Sequence, residues 1–142
     1  MRDAFGGILN IFLIALFLVI VEGVLGFTVS YTKAFKMKNM VISAFEEYEG
    51  AGCTNTSTYN TACKNRIREG AKRIGYSPAN LNCSGNYEKV DGFFCYKQNP
   101  DGNNAQNKKV YRIVTQVDIN IPIINNIMGF SFFQVTGDTR GI

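Results

Sequence analysis

From Ala4 to Val21 the chain carries an uninterrupted uncharged run, AFGGILNIFLIALFLVIV, and after one acid at Glu22 it continues without charge through GVLGFTVSYT to Thr32. At about 1.5 Å per residue, about 20 helical residues cross a hydrocarbon layer about 30 Å thick, so the run reads as a membrane-spanning helix. No proline occurs before Pro78, and nothing forces the helix to stop at the membrane face. The following KAFKMKNMVISAFEEYEG keeps Met37, Val41, Ile42, Ala44 and Phe45 near helical spacing and closes at Gly50, a natural C-cap. One helix is therefore expected from about Ala4 to Glu49, half in lipid and half outside.

A cleaved signal peptide fits less well. The apolar run is longer than the usual ~7 to 15 residues, the preceding segment is only Met1-Arg2-Asp3, and no A-x-A-like site follows. The chain divides into residues 1–50, a transmembrane and amphipathic long helix, and residues 51–142, a small extracytoplasmic α+β domain. The first part holds four basic and five acidic residues, the second eleven basic and six acidic. Lys33, Lys36 and Lys38 outnumber Arg2 and the amino terminus, which by the positive-inside rule places the domain in the cytoplasm. The cysteine pattern and the short N-terminal tail argue for the opposite orientation, N-terminus cytoplasmic and domain outside, and that orientation is the expectation.

Glu22 is the chemical anomaly of the span. An acid there is costly unless it is paired or faces protein, or lies near the interface. Ala15, Glu22, Gly26, Ser30 and Ala34 follow steps of seven and four, which puts small residues on one stripe with the acid. Small side chains let a second helix approach closely, so Ala15, Glu22, Gly26 and Ser30 read as a helix-packing seam, with Asn10 a second polar point deeper in the membrane.

Beyond Gly50, AGCTNTSTYN is a small, polar loop. In TACKNRIREGAKRIGY, Cys63, Ile67, Ala71 and Ile74 recur at helical spacing, predicting a short amphipathic helix capped by Thr58 or Asn60 and closed by Gly75 before Pro78. Its polar face carries Lys64, Arg66, Arg68, Lys72 and Arg73, either a solvated face or a basic binding face for an acidic polymer or anionic lipid. SPANLNCSGNYEKVDG is turn-rich, GFFCYK is a short strand, and QNPDGNNAQNKK is a loop with one carboxylate, too few for a calcium site. VYRIVTQVDINI alternates apolar and polar residues as a half-buried antiparallel strand does, Pro122 ends it, and FSFFQVTGD is a last strand. The outer half of the long helix needs cover, and this sheet supplies it.

Cys53, Cys63, Cys83 and Cys95 show no CxxC spacing, and the chain has no histidine. Zinc, thioredoxin-type and Cys-His nucleophile chemistry lack their required partners, so no metal site is expected. Two disulfides are expected, with three pairings open. Cys53–Cys63 with Cys83–Cys95 is preferred because each closes a local loop, while free buried thiols in a cytoplasmic domain are the alternative. Asn55-Thr56-Ser57 and Asn82-Cys83-Ser84 match the glycosylation sequon, a match short enough to arise by chance.

The segments VEGVLGFTVSYTKAF and VDINIPIINNIMGFSFFQVTGD together resemble the TadE-like pseudopilins of tight-adherence (Tad) pilus systems, relatives of type IV pilins. The resemblance covers roughly residues 5–50 and 109–140; residues 51–108 match nothing in that family. It implies a pilin-like fold, a long helix packed on a small antiparallel sheet, with Glu22 as the membrane-exit acid and Asp118 to Pro122 as the strand-to-proline step. A prepilin cut after Gly7 or Gly26 would put Phe12 or Tyr31 where an acid is required at the fifth mature residue. The implied role is thus a minor or assembly-platform subunit whose partners are other pilin-like subunits or membrane proteins. The alternative is a membrane-tethered binding module unrelated to pili, working through the basic helix or a Phe93, Phe94, Tyr96 patch. No histidine, phosphate loop or carboxylate pair points to catalysis, and no enzyme activity, cofactor, nucleic acid or small-molecule substrate is expected.

Overall fold

The computed structural model describes residues 1–55, 61–99, 108–119, 126 and 132–142. Among these residues two helices longer than one turn, α1 (Arg2–Glu47) and α2 (Ala62–Ile74), precede four strands, β1 (Glu88–Val90), β2 (Phe94–Asn99), β3 (Val110–Asp118) and β4 (Phe132–Asp138). The strands form one antiparallel sheet in chain order. α2 begins at Ala62 with Thr61 in the N-cap position and no side-chain cap bond, in place of the expected Thr58 or Asn60; the Pro-Asp-Gly turn, the sequon residues Thr56 and Ser57, and Pro122 lie outside the described residues.

The long helix forms as the apolar run and its amphipathic continuation dictate. It stops two residues before the expected end: the Tyr48 N–H donates to the Ala44 carbonyl and the Gly50 N–H to that of Phe45. Positive φ at Glu49 (51°) and Gly50 (74°) reverses the chain, and a Cβ at Gly50 would come within 3.3 Å of the Tyr111 ring. α2 closes on Gly75 in the left-handed region, with the Tyr76 N–H reaching the Ala71 carbonyl, a Schellman-type end.

Ala34, Met37, Val41, Ala44 and Phe45, on one face of α1, are fully buried, and they pack with Ile67 and Ala71 of α2 and with Phe94, Tyr96, Tyr111, Ile113 and Val117 of the sheet. α2 lies close enough to α1 that a Cβ on Gly70 would overlap the Met40 sulfur. β4 contacts α1 from Phe133 against Phe27 to Gly137 against Ile42, and the Arg140 N–H reaches Glu46. It therefore runs outward along the helix, and β3 runs back toward the apolar half.

Two expectations about the sheet need correction. β3 is not half-buried: Tyr111, Ile113, Thr115 and Val117 are covered, and Val114 and Gln116 are covered as well. The segment after α2 crosses the second face, where Leu81, Cys95 and Val114 form a small cluster with Cys83 and Tyr87. Gln116 is buried without penalty because its amide accepts from the Asn82 N–H and donates to the Asn80 carbonyl and Asp118. The turn-rich stretch also contains β1. Asp91 and Gly92 both have positive φ, and the Phe93 N–H donates to the Val90 carbonyl, closing the β1–β2 hairpin.

Both preferred disulfides are present, Cys53–Cys63 inside the main core and Cys83–Cys95 under the second face. The Tyr76 hydroxyl bridges the backbone of β3, donating to the Gln116 carbonyl and accepting from the Gln116 N–H. Burial, chiefly, pushes this phenol up to about 12. An unfolded tyrosine ionises near pH 10, so the domain is expected to lose stability as pH rises from about 10 toward 12, by up to about 2–3 kcal/mol. Burial and the Glu88 carboxylate push Tyr96 in the same direction. Chemical denaturation at stepped pH checks this: Tyr76→Phe should reduce, not abolish, the alkaline slope. A slope unchanged in the variant refutes the assignment.

Candidate interaction surface

Among the described residues, none of α1 up to Glu22 is covered: every one is exposed. Phe5, Phe12, Phe17, Ile20 and Val24 are all at least half exposed, an apolar face far larger than an isolated soluble domain keeps. α1 is the single helix among the described residues that is long and apolar enough to cross a membrane.

The stripe read as a packing seam divides in two. Ala15, Glu22 and Gly26 are exposed, and nothing lies within 4 Å of a Cβ placed on Gly26. Ser30 is half-buried and Ala34 fully buried, its carbonyl accepting from the Thr115 hydroxyl at 3.0 Å. The stripe is thus one continuous side of α1 whose C-terminal end is covered by the protein's own sheet and whose apolar N-terminal end is open. Asn10 is also exposed.

The two alternative binding faces are less available than the sequence implies. Phe94 and Tyr96 are core residues packed around Phe45, and Phe93 is partly buried against the same core, so no aromatic patch faces solvent there. Arg66 pairs with Glu47 and Arg68 with Asp91, ties that hold α2 to α1 and to the β1–β2 turn. Lys64, Lys72 and Arg73 take part in no ion pair among the described residues. A third pair, Arg112 with Asp138, clamps β3 to β4, and the guanidinium holds the Asp138 carboxyl below its usual range.

At the end of the domain away from the apolar half of α1 lies an open cleft of about 580 Å³ lined by Glu49, Thr54, Glu88, Lys97 and Lys109 around the Tyr96 and Tyr111 rings. Its two acids are matched by two bases, so it presents no single charge. The Asn55 amide, part of one sequon, donates to the Lys89 carbonyl at 2.7 Å and fastens the loop after α1 to β1. The described residues contain no group of His, Cys, Asp and Glu arranged to hold a metal.

The fold and this surface define a small disulfide-stapled α+β domain carried on one long helix with an uncovered apolar half. Comparison of the chain with protein families, curated proteins and solved structures returned no match.

Proposed function

We propose that this protein is a pilin-like structural or minor subunit of a pilus-like secretion or adhesion assembly, anchored by an uncleaved α1 and joined to its partners through the open end of the α1 stripe. The observation that supports this most is Glu22 beside Gly26: an acid in an apolar span, uncovered by its own chain and next to a residue that leaves room for another backbone. A purely passive anchor has no use for either. Burial of Phe94 and Tyr96 and pairing of Arg66 and Arg68 weigh against the alternative of a tethered binding module using those faces. The disulfides favour an oxidising compartment, hence an extracytoplasmic domain with the N-terminus in the cytoplasm.

Interhelical contacts by polar side chains in membranes are worth about 1–2 kcal/mol. Glu22→Gln and Gly26→Leu are each expected to reduce co-purification of partner membrane proteins by about fivefold to thirtyfold while the domain denatures as before. Undiminished recovery with both variants would mean that α1 only anchors.

A further inference from the structure

We propose that the cleft between α1 and α2 just outside the apolar span is a binding site for the headgroup of an anionic phospholipid. The cleft, about 420 Å³, is lined by Lys33 and Lys36 of α1 and Arg73 of α2, together with Thr28 and Thr32. Among the described residues none of the three cations is ion-paired, whereas Arg66 and Arg68 on the same helix are. Arg73 also borders a second cleft with Glu69, again without a pair. Asp118, which shares a neighbouring cavity with Lys33, is already engaged by the Ala79 N–H and the Gln116 amide. Lys38 is occupied elsewhere, its ammonium 4.3 Å from the centre of the Phe35 ring.

Three features point to a lipid and not to a soluble anion. The cleft stands at the height where the uncharged run ends, which is where headgroups lie if α1 spans the bilayer. Lys36, Thr32, Thr28 or Val29, Leu25 and Val21 follow one another at three- or four-residue steps, so a single face of α1 leads from the cations down into the apolar run. Val29 and Leu25 on that track are 54% and 60% exposed, an open path for an acyl chain directly beneath the charge. The Thr28 and Thr32 hydroxyls donate to the Val24 and Thr28 carbonyls, which leaves their oxygens to accept. Cations thus take the phosphate, and threonine oxygens suit a headgroup that carries hydroxyl donors, such as glycerol.

The inference rests on α1 crossing a membrane and is independent of any pilus role, so loss of partner co-purification and loss of lipid binding are separable results. The test is native mass spectrometry of the full chain in detergent micelles with added phosphatidylglycerol or phosphatidylcholine of identical acyl chains. The wild type is expected to retain phosphatidylglycerol about tenfold to a hundredfold better. The Lys33→Gln, Lys36→Gln, Arg73→Gln triple variant should fall to within about threefold of parity, and a Lys64→Gln, Lys97→Gln, Lys109→Gln control should keep the preference. Should the triple variant misfold, Lys36→Gln alone, at an exposed position, should still lower the preference severalfold. Equal retention of the two lipids by the wild type, a preference that survives removal of the cleft cations, or an equal loss in the control would overturn the proposal. So would full displacement of the lipid by excess soluble glycerol phosphate.

Discussion

Phe45→Ala is expected to destabilise the domain by about 3–5 kcal/mol, the usual cost of deleting a fully enclosed phenyl ring. Phe45 is wholly buried at the point where α1 meets β2 and β3. Its ring lies 5.9 Å from Phe94 edge-on, 6.1 Å from Tyr96 and 5.3 Å from Tyr111, centroid to centroid. Aromatic pairs of this kind contribute about 0.5–1.5 kcal/mol each beyond the area they bury. The cavity cannot close by helix movement, because Ala44 and Val41 in the preceding turn are already buried in the same core and the Thr115 bond to Ala34 fixes the helix against β3. Urea denaturation of the full chain in micelles, followed by tyrosine near-ultraviolet dichroism because the chain has no tryptophan, reads this directly. Phe45→Leu, which refills part of the volume, should recover more than half of the loss. A Phe45→Ala cost below about 1 kcal/mol would show that α1 and the sheet are not held together here, and that the helix carries the domain by its disulfide-linked loop alone.

How far the sequence anticipates this architecture depends on which forces decide each element. α1 was legible because an apolar run without proline and a repeat of three and four residues are local properties. So was α2, where Cys63, Ile67 and Ala71 are the buried positions. The disulfide pairing followed from short loops. The buried state of Gln116 was not legible, because its partners Asn80, Asn82 and Asp118 come from a segment whose path no periodicity reports. Alternation in β3 shows which residues differ in polarity, not whether a loop covers the polar face. Phe94 and Tyr96 misled for the same reason: an aromatic cluster in a short strand looks alike whether it faces solvent or Phe45. The sequence does carry a signal for β1, the Asp91-Gly92 pair between EKV and FFCYK, two residues that tolerate the positive φ a tight hairpin turn requires at both positions. The cleft at Lys33, Lys36 and Arg73 combines two distant segments, and only their spatial meeting distinguishes it from the solvated charges around it.

Removing the Cys53–Cys63 bridge by a double Cys→Ala change is expected to cost about 4 kcal/mol, against about 3 kcal/mol for Cys83–Cys95. Chain-entropy arguments give both closures nearly the same value, about 3 kcal/mol, since the sequence separations are 10 and 12. The difference comes from place. Both sulfurs of the first bridge are fully enclosed, in one cluster with Ala44, Phe45 and Ile67, so their removal also leaves a void. Cys83 is only partly buried and sits on the outer cluster with Leu81 and Val114. The domain buries a small core, and a loss of this size is a large share of what such a domain has. Denaturation with and without reductant measures each bridge, and maleimide labelling of intact cells reads the redox state and the topology together. The expected result is no labelling before reduction by either a permeant or an impermeant maleimide, and labelling of intact cells by the impermeant reagent once an impermeant reductant has opened the bridges. Labelling without reduction, with stability indifferent to reductant, would place free thiols in a reducing compartment. The domain would then lie on the cytoplasmic side with Lys33, Lys36 and Lys38, as the positive-inside rule alone requires.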